Sequence, residues 1–169
     1  MQFERSEHAA EVSRNAADEF VEMVHNTAHV ELDFGVASVR AVDRIASSMH
    51  RSLPPESARD EAFERALERY SDQIGAYLGE VIRRLVGGMW GHGIDEGERF
   101  VALYTTGGTL LWPAGRAYKR IVEGGDDDLW DYVSLFVPSG AAAGMRLGRA
   151  DDGAADGLES FRVDDSVNR

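Results

Sequence analysis

The sequence predicts an α+β domain, and three observations carry that expectation. Apolar residues recur at helical spacing from the N-terminal region to Leu85. Beyond Gly87-Gly88 the period shortens, and β-branched and aromatic residues gather on both sides of Thr106-Gly107-Gly108, a tight-turn signal. Helical spacing then returns until Pro138, after which Gly, Ala and Asp dominate. The expected architecture has N-terminal helices including one long central helix, a small three-stranded antiparallel meander, two short closing helices and a flexible acidic tail. Residues 1–138 form the expected single domain and 139–169 the expected mobile tail.

Each element has its own signal. Ala9, Val12, Ala16, Phe20, Val21 and Val24 make the stripe of a first helix over 6–28, with Ser6 and Glu7 at its start. Residues 29–34 alternate Val30, Leu32 and Phe34 with polar neighbours, an extended pattern. Val36, Val39, Val42, Ile45 and Met49 predict a second helix over about 36–50, broken by Leu53-Pro54-Pro55 because proline removes a donor and restrains its predecessor. In the third helix, 57–86, Phe63, Leu67, Tyr70, Ile74, Tyr77, Val81 and Leu85 share an arc of about 100°. Gly75 and Gly79 lie on a separate face, one turn apart, where each costs about 1 kcal/mol against alanine. That cost has no use in solvent, so a second element is expected to pack closely there, making this helix the central pillar. Residues 89–92, 100–105 and 109–112 are the expected strands. Closing helices follow at 115–123, ended by Gly124-Gly125, and at 126–136, where Asp126, Asp127 and Asp128 suit the positive end of the helix dipole.

Composition limits the function classes. The chain has 169 residues, a formal charge of −12 and no cysteine, which removes disulfides, thiol nucleophiles and thiolate metal sites. Nucleic-acid binding is not expected, since it draws its affinity from Lys and Arg meeting phosphate. No apolar run approaches the ~20 residues of a membrane span, and the first residues lack the features of a signal peptide, so no membrane association and a cytoplasmic location are the expectation. Lys119 is the only lysine among 18 basic residues, as codon bias in a GC-rich genome would produce.

Candidate chemistry is sparse. His25 and His29 stand four apart, a spacing that can hold zinc on a continuing helix, but no glutamate completes a zincin pattern. Partly exposed histidines at a helix C-terminus explain the pair equally well. Glu80 and Arg84 have the spacing of an i,i+4 ion pair. The same Glu80, beside Tyr77, is also a candidate acid or base if desolvated. Lys119-Arg120 reads as a partner for Asp126-Asp127-Asp128, or as an anion clamp. The glycines match neither a phosphate loop nor a dinucleotide fingerprint, and no serine sits in a nucleophile elbow. Trp90, Trp112 and Trp130 read as core anchors, any exposed one becoming an interface candidate.

Several runs carry a family resemblance: Leu32-Asp33-Phe34 with Val39-Arg40-Ala41-Val42-Asp43-Arg44-Ile45, Gly75-Ala76-Tyr77-Leu78-Gly79-Glu80-Val81 with Gly87-Gly88-Met89-Trp90, and Tyr118-Lys119-Arg120-Ile121-Val122-Glu123-Gly124-Gly125. As an ordered set over about residues 30–137, they resemble a family of uncharacterised, mainly actinobacterial domains. The resemblance implies a domain extent and no activity. Small acidic domains of this kind also occur among immunity proteins that neutralise toxins, an analogy only.

The functional expectation is therefore a non-enzymatic interaction protein, of immunity type or otherwise, that binds a basic protein partner without a cofactor. Its expected interface comprises Trp90, Trp112, Asp126, Asp127 and Asp128. The alternative is a small hydrolase using Glu80 and Tyr77, with or without a metal at His25 and His29.

Overall fold

The computed structural model describes residues 1–125, 128–139 and 155–163. Among them the chain forms an α+β fold in which helices pack on one face of a four-stranded antiparallel sheet. Helix α1, Glu7–Ala28, starts where the Ser6 hydroxyl accepts a hydrogen bond from the Ala9 amide at 3.1 Å. Its buried stripe is Ala9, Ser13, Ala17, Phe20 and Val24. After a 3₁₀ turn at Val36–Ser38, α2 spans Val39–Arg51, and Pro54-Pro55 separate it from α3. Helix α3, Glu61–Val86, is capped by Asp60, whose carboxylate accepts from the Phe63 amide at 2.8 Å.

Helix α3 is the pillar its glycines announced. Every residue from Ile74 to Ile82 is buried, because α1 covers one side and α4, Pro113–Glu123, another. A Cβ at Gly75 would stand 2.4 Å from the Ala114 backbone at the start of α4, and one at Gly79 would strike the Trp90 ring. Helix α5, Leu129–Ser134, closes the layer against α2. There Asp43 accepts both arms of the buried Arg120 guanidinium, at 2.8 and 3.1 Å, and the Leu129 amide at 3.1 Å. Arg120 therefore ties α4 to α2, a role its pairing with Lys119 in sequence did not disclose.

The sheet has the order β1-β2-β3-β4, with β1 Gln2–Arg5, β2 Gly88–Asp95, β3 Glu98–Thr105 and β4 Leu110–Leu111. Four strands replace the expected three. Residues 2–5 offer one apolar side chain, Phe3, too few for any period to show. Strand β2 is also longer than expected, because the β2–β3 turn is Glu96-Gly97 with φ of 50° and 90°. Tight turns between twisted strands need positive φ, which Gly97 adopts without strain.

Three further expectations change. Residues 29–34 do bury Leu32 and expose Glu31 and Asp33, but they form a loop, with Phe34 at φ 59°. Helix α5 begins at Leu129; Asp128 is its N-cap, while Asp126 and Asp127 lie outside the described residues. The expected boundary at 138 is too early. A helical turn at Ala155–Leu158 leads into Leu158, Phe161 and Val163, all buried in the core cluster. The Ser48 hydroxyl donates to the Glu159 carbonyl at 2.7 Å, and Arg51 pairs with the Glu159 side chain. Three apolar side chains within six residues suffice to dock a segment that composition alone marks as tail.

Candidate functional site

The register of the sheet decides which side chains share a face. Trp90 pairs with Leu103, and both are buried on the helix side. The alternate rows, Met89 with Tyr104 and Phe3 with Gly93 and Phe100, therefore lie on the opposite face. On that face Phe3 stacks with Tyr104, ring centroids 5.2 Å apart, and Phe100 meets Trp112 at 4.9 Å. The Phe3 and Phe100 rings lie over Gly91 and Gly93, whose missing side chains leave them room. The result is an aromatic layer on the outer sheet surface. Met89 is 43% exposed, Tyr104 36% and Trp112 54%.

Trp112 borders two concavities. One, of about 620 Å³, is formed with Phe100, Leu110, Asp95, Glu96 and Glu98 at the β2–β3 turn. Arg99 also lines it but is engaged by Glu4 at 3.1 Å, and the Met1 amino group lies 3.9 Å from Asp95. The second, of about 360 Å³, is formed with Gly115 and Tyr118 of α4 and with Glu68 and Asp72 of α3. Glu68 and Asp72 are one helical turn apart. Partial burial, and then the Glu68 charge, push the Asp72 carboxyl above its usual range. Both concavities thus combine an exposed indole with carboxylates, an arrangement suited to cations.

The residues singled out by sequence fall in different places. Trp112 is at the surface, not in the core, whereas Trp90 is buried and Trp130 is partly buried beneath the Arg40 guanidinium at 4.1 Å. Trp90 thus faces the helices and takes no part in the outer surface. Asp128 accepts from the Trp130 amide at 2.6 Å and the Asp131 amide at 3.4 Å, so its carboxylate caps α5.

Glu80 pairs with Arg83 rather than Arg84. Both of its oxygens accept from Arg83 at 2.9 Å, and one accepts the Trp90 indole N–H at 2.7 Å. Burial by itself would push its carboxyl up. The hydrogen bonds from Arg83 and Trp90, with the charges of Arg83 and Arg84, outweigh that and hold it below the usual range. Arg84 instead lies over the Phe34 ring at 4.0 Å. Tyr77 is fully buried; its hydroxyl accepts the Phe34 amide at 2.9 Å and shares a hydrogen bond with Ser38 at 2.6 Å. Burial pushes the phenol up. Glu80 thus braces the sheet, and Tyr77 the 29–38 loop.

Helix α1 ends at Ala28, and His29 is its left-handed cap at φ 55°, so the two histidines do not continue on one helix face. Their rings are 6.5 Å apart, and His25 pairs with Glu31 at 2.7 Å. Among the described residues, no group of three or more His, Cys, Asp or Glu side chains gathers as a metal set would, and no helix is long and apolar enough to cross a membrane.

Phe100, Tyr118, the acidic β2–β3 turn and the Glu68–Asp72 pair escaped the sequence reading. Taking Asp95-Glu96-Gly97-Glu98 as a two-residue hairpin would have placed Phe100 opposite Gly93 by parity alone. No protein-family model matches the chain, and neither a curated protein nor a solved structure does.

Proposed function

We propose that this protein is a non-enzymatic interaction module that binds a basic protein partner through the outer face of its sheet. The observation that supports this most directly is Trp112, 54% exposed against Phe100 and next to Asp95, Glu96 and Glu98. Exposed aromatic residues supply much of the affinity at interfaces, and carboxylates around them favour a partner of opposite charge. The net charge of −12 steers such a partner in from a distance. An immunity-type inhibitor of a basic toxin fits this description. The hydrolase reading gains no support from the surroundings of Glu80 and Tyr77, whose polar atoms bind neighbouring protein groups.

The test is differential capture from extracts of the native host, with the parent, Trp112→Ser and Glu96→Gln/Glu98→Gln as baits at low and moderate salt. A basic protein retained by the parent at low salt and lost with both variants is the expected result. Identical retention by all three baits would remove the reading.

A further inference from the structure

The geometry points to a straddled recognition mode: we propose that an extended basic segment of the partner crosses Trp112 and places one cationic side chain in each flanking concavity. This rests on the reading of the surface as a site for a basic partner and specifies how that partner is held. The indole is the shared wall, because Phe100 belongs to the sheet-side concavity and Gly115 and Tyr118 to the helix-side one. Gly115 lies against the indole, its Cβ position only 2.5 Å from the ring, so the wall is seated on α4.

Each side offers the same chemistry. Glu96 and Glu98 stand on the sheet side beside Phe100, and Glu68 and Asp72 on the helix side beside Tyr118, 38% exposed. The positive N-terminal end of α4 also borders the helix side, but it amounts to about half a unit charge against two carboxylates. The net preference is for a cation on both sides. Phe100 and Gly115 already lie against the indole, so the segment crosses at its exposed edge. Two residues of an extended strand, at ~3.3 Å each, carry successive same-side side chains to either side of that edge. The spacing that fits is thus Arg-x-Arg or Lys-x-Lys, with both cations on one side of the strand.

Two capped peptides of identical composition test this, GSRVRVSG and GSRVVRSG, titrated into isotope-labelled protein at 50 mM salt with the Trp112 indole N–H as reporter. The first peptide is expected to bind about threefold more tightly than the second, in line with one additional exposed cation–aromatic contact. Glu96→Gln/Glu98→Gln and Glu68→Gln/Asp72→Asn should each abolish that preference. If the second pair does not fold, Tyr118→Ser reports on the same side. Equal binding of both peptides, with no effect of the helix-side variants, would overturn straddling and leave a basic partner on the sheet face intact. A Trp112 signal that neither peptide shifts would overturn both readings. So would a salt-stable dimer of the parent that buries Trp112, since a second copy would then occupy the surface.

Discussion

The Cβ that Gly79 lacks would fall 2.2 Å from Cη2 of Trp90, so the central helix and the sheet meet with no room for even a methyl group. The indole that fills this contact also donates its N–H to Glu80, one residue further along the same helix. A single side chain of β2 is therefore held in place by both its shape and its polar atom.

Substitution at Gly79 should be costly. The gain in helix propensity from Gly79→Ala is about 1 kcal/mol. It is set against displacement of a ring that is 4% exposed and hydrogen-bonded. Gly79→Leu is expected to destabilise by more than about 2 kcal/mol, as overpacking of a well-filled core does. Urea melts followed by tryptophan fluorescence will measure it, and parental stability in both variants would mean that Trp90 is free to move away.

Glu80 should make stability depend on acid pH. Its folded-state carboxyl lies below the usual range because Arg83 and Trp90 outweigh its burial. Stabilisation from a depressed carboxyl is complete above its unfolded pKa, about 4.3, and is lost as pH falls through the lower folded value. Glu80→Gln keeps an acceptor for Trp90 but gives up the Arg83 pair, at an expected cost of about 1–3 kcal/mol at pH 7. The gap should begin to narrow as pH falls through the unfolded value of about 4.3, and go on narrowing until it passes the lower folded value, where the parent is neutral too. Melts across pH 7 to 3 that show a constant gap would place the stabilisation elsewhere.

Residues 155–163 should contribute to stability. Phe161 and Leu158 are buried against the helices. Phe161→Ala is expected to cost about 3 kcal/mol, the usual loss for removing a buried aromatic ring. A chain ending at residue 138 should melt at lower temperature than the parent. Unchanged melting of both would show that this segment adds nothing to the core.

Legibility from sequence followed the strength of the periodic signal. Helices α1, α2 and α3 carry long apolar stripes, and Gly75 with Gly79 declared a close contact before any partner was known. Strand β1 has only Phe3 to offer, so its pairing with β2 is a tertiary fact that four residues cannot announce. The 155–163 segment was concealed by the Gly, Ala and Asp around its apolar residues. The candidate surface was half legible. Trp112 is legible, but its exposure depends on the strand pairing that places it outside, and the aromatic residues around it assemble from two strands and a helix. The sequence places Asp128 both at a helix start and in the interface; the two amides it accepts make it the cap of that helix.

Trp112 should separate binding from folding. More than half of the residue is exposed, and its contacts are Phe100 on the outer face and Gly115 beneath it. Trp112→Ser therefore gives up roughly 100 Å² of buried apolar area, an expected cost of about 2 kcal/mol that leaves the protein folded. Loss of the same indole from an interface centre commonly costs 2 kcal/mol or more in affinity, about thirtyfold. Salt should weaken the parent's association, since attraction between charges more than about 10 Å apart is screened at 0.1 M. The salt slope should survive in Trp112→Ser, because the carboxylates of the β2–β3 turn and of α3 are still present. In Glu96→Gln/Glu98→Gln the slope should flatten while the indole contact persists. Melting curves together with association rates at several salt concentrations separate these two effects. A Trp112→Ser variant that melts far below the parent would make Trp112 a core residue and transfer the interface to Met89 and Tyr104 at the other end of the sheet.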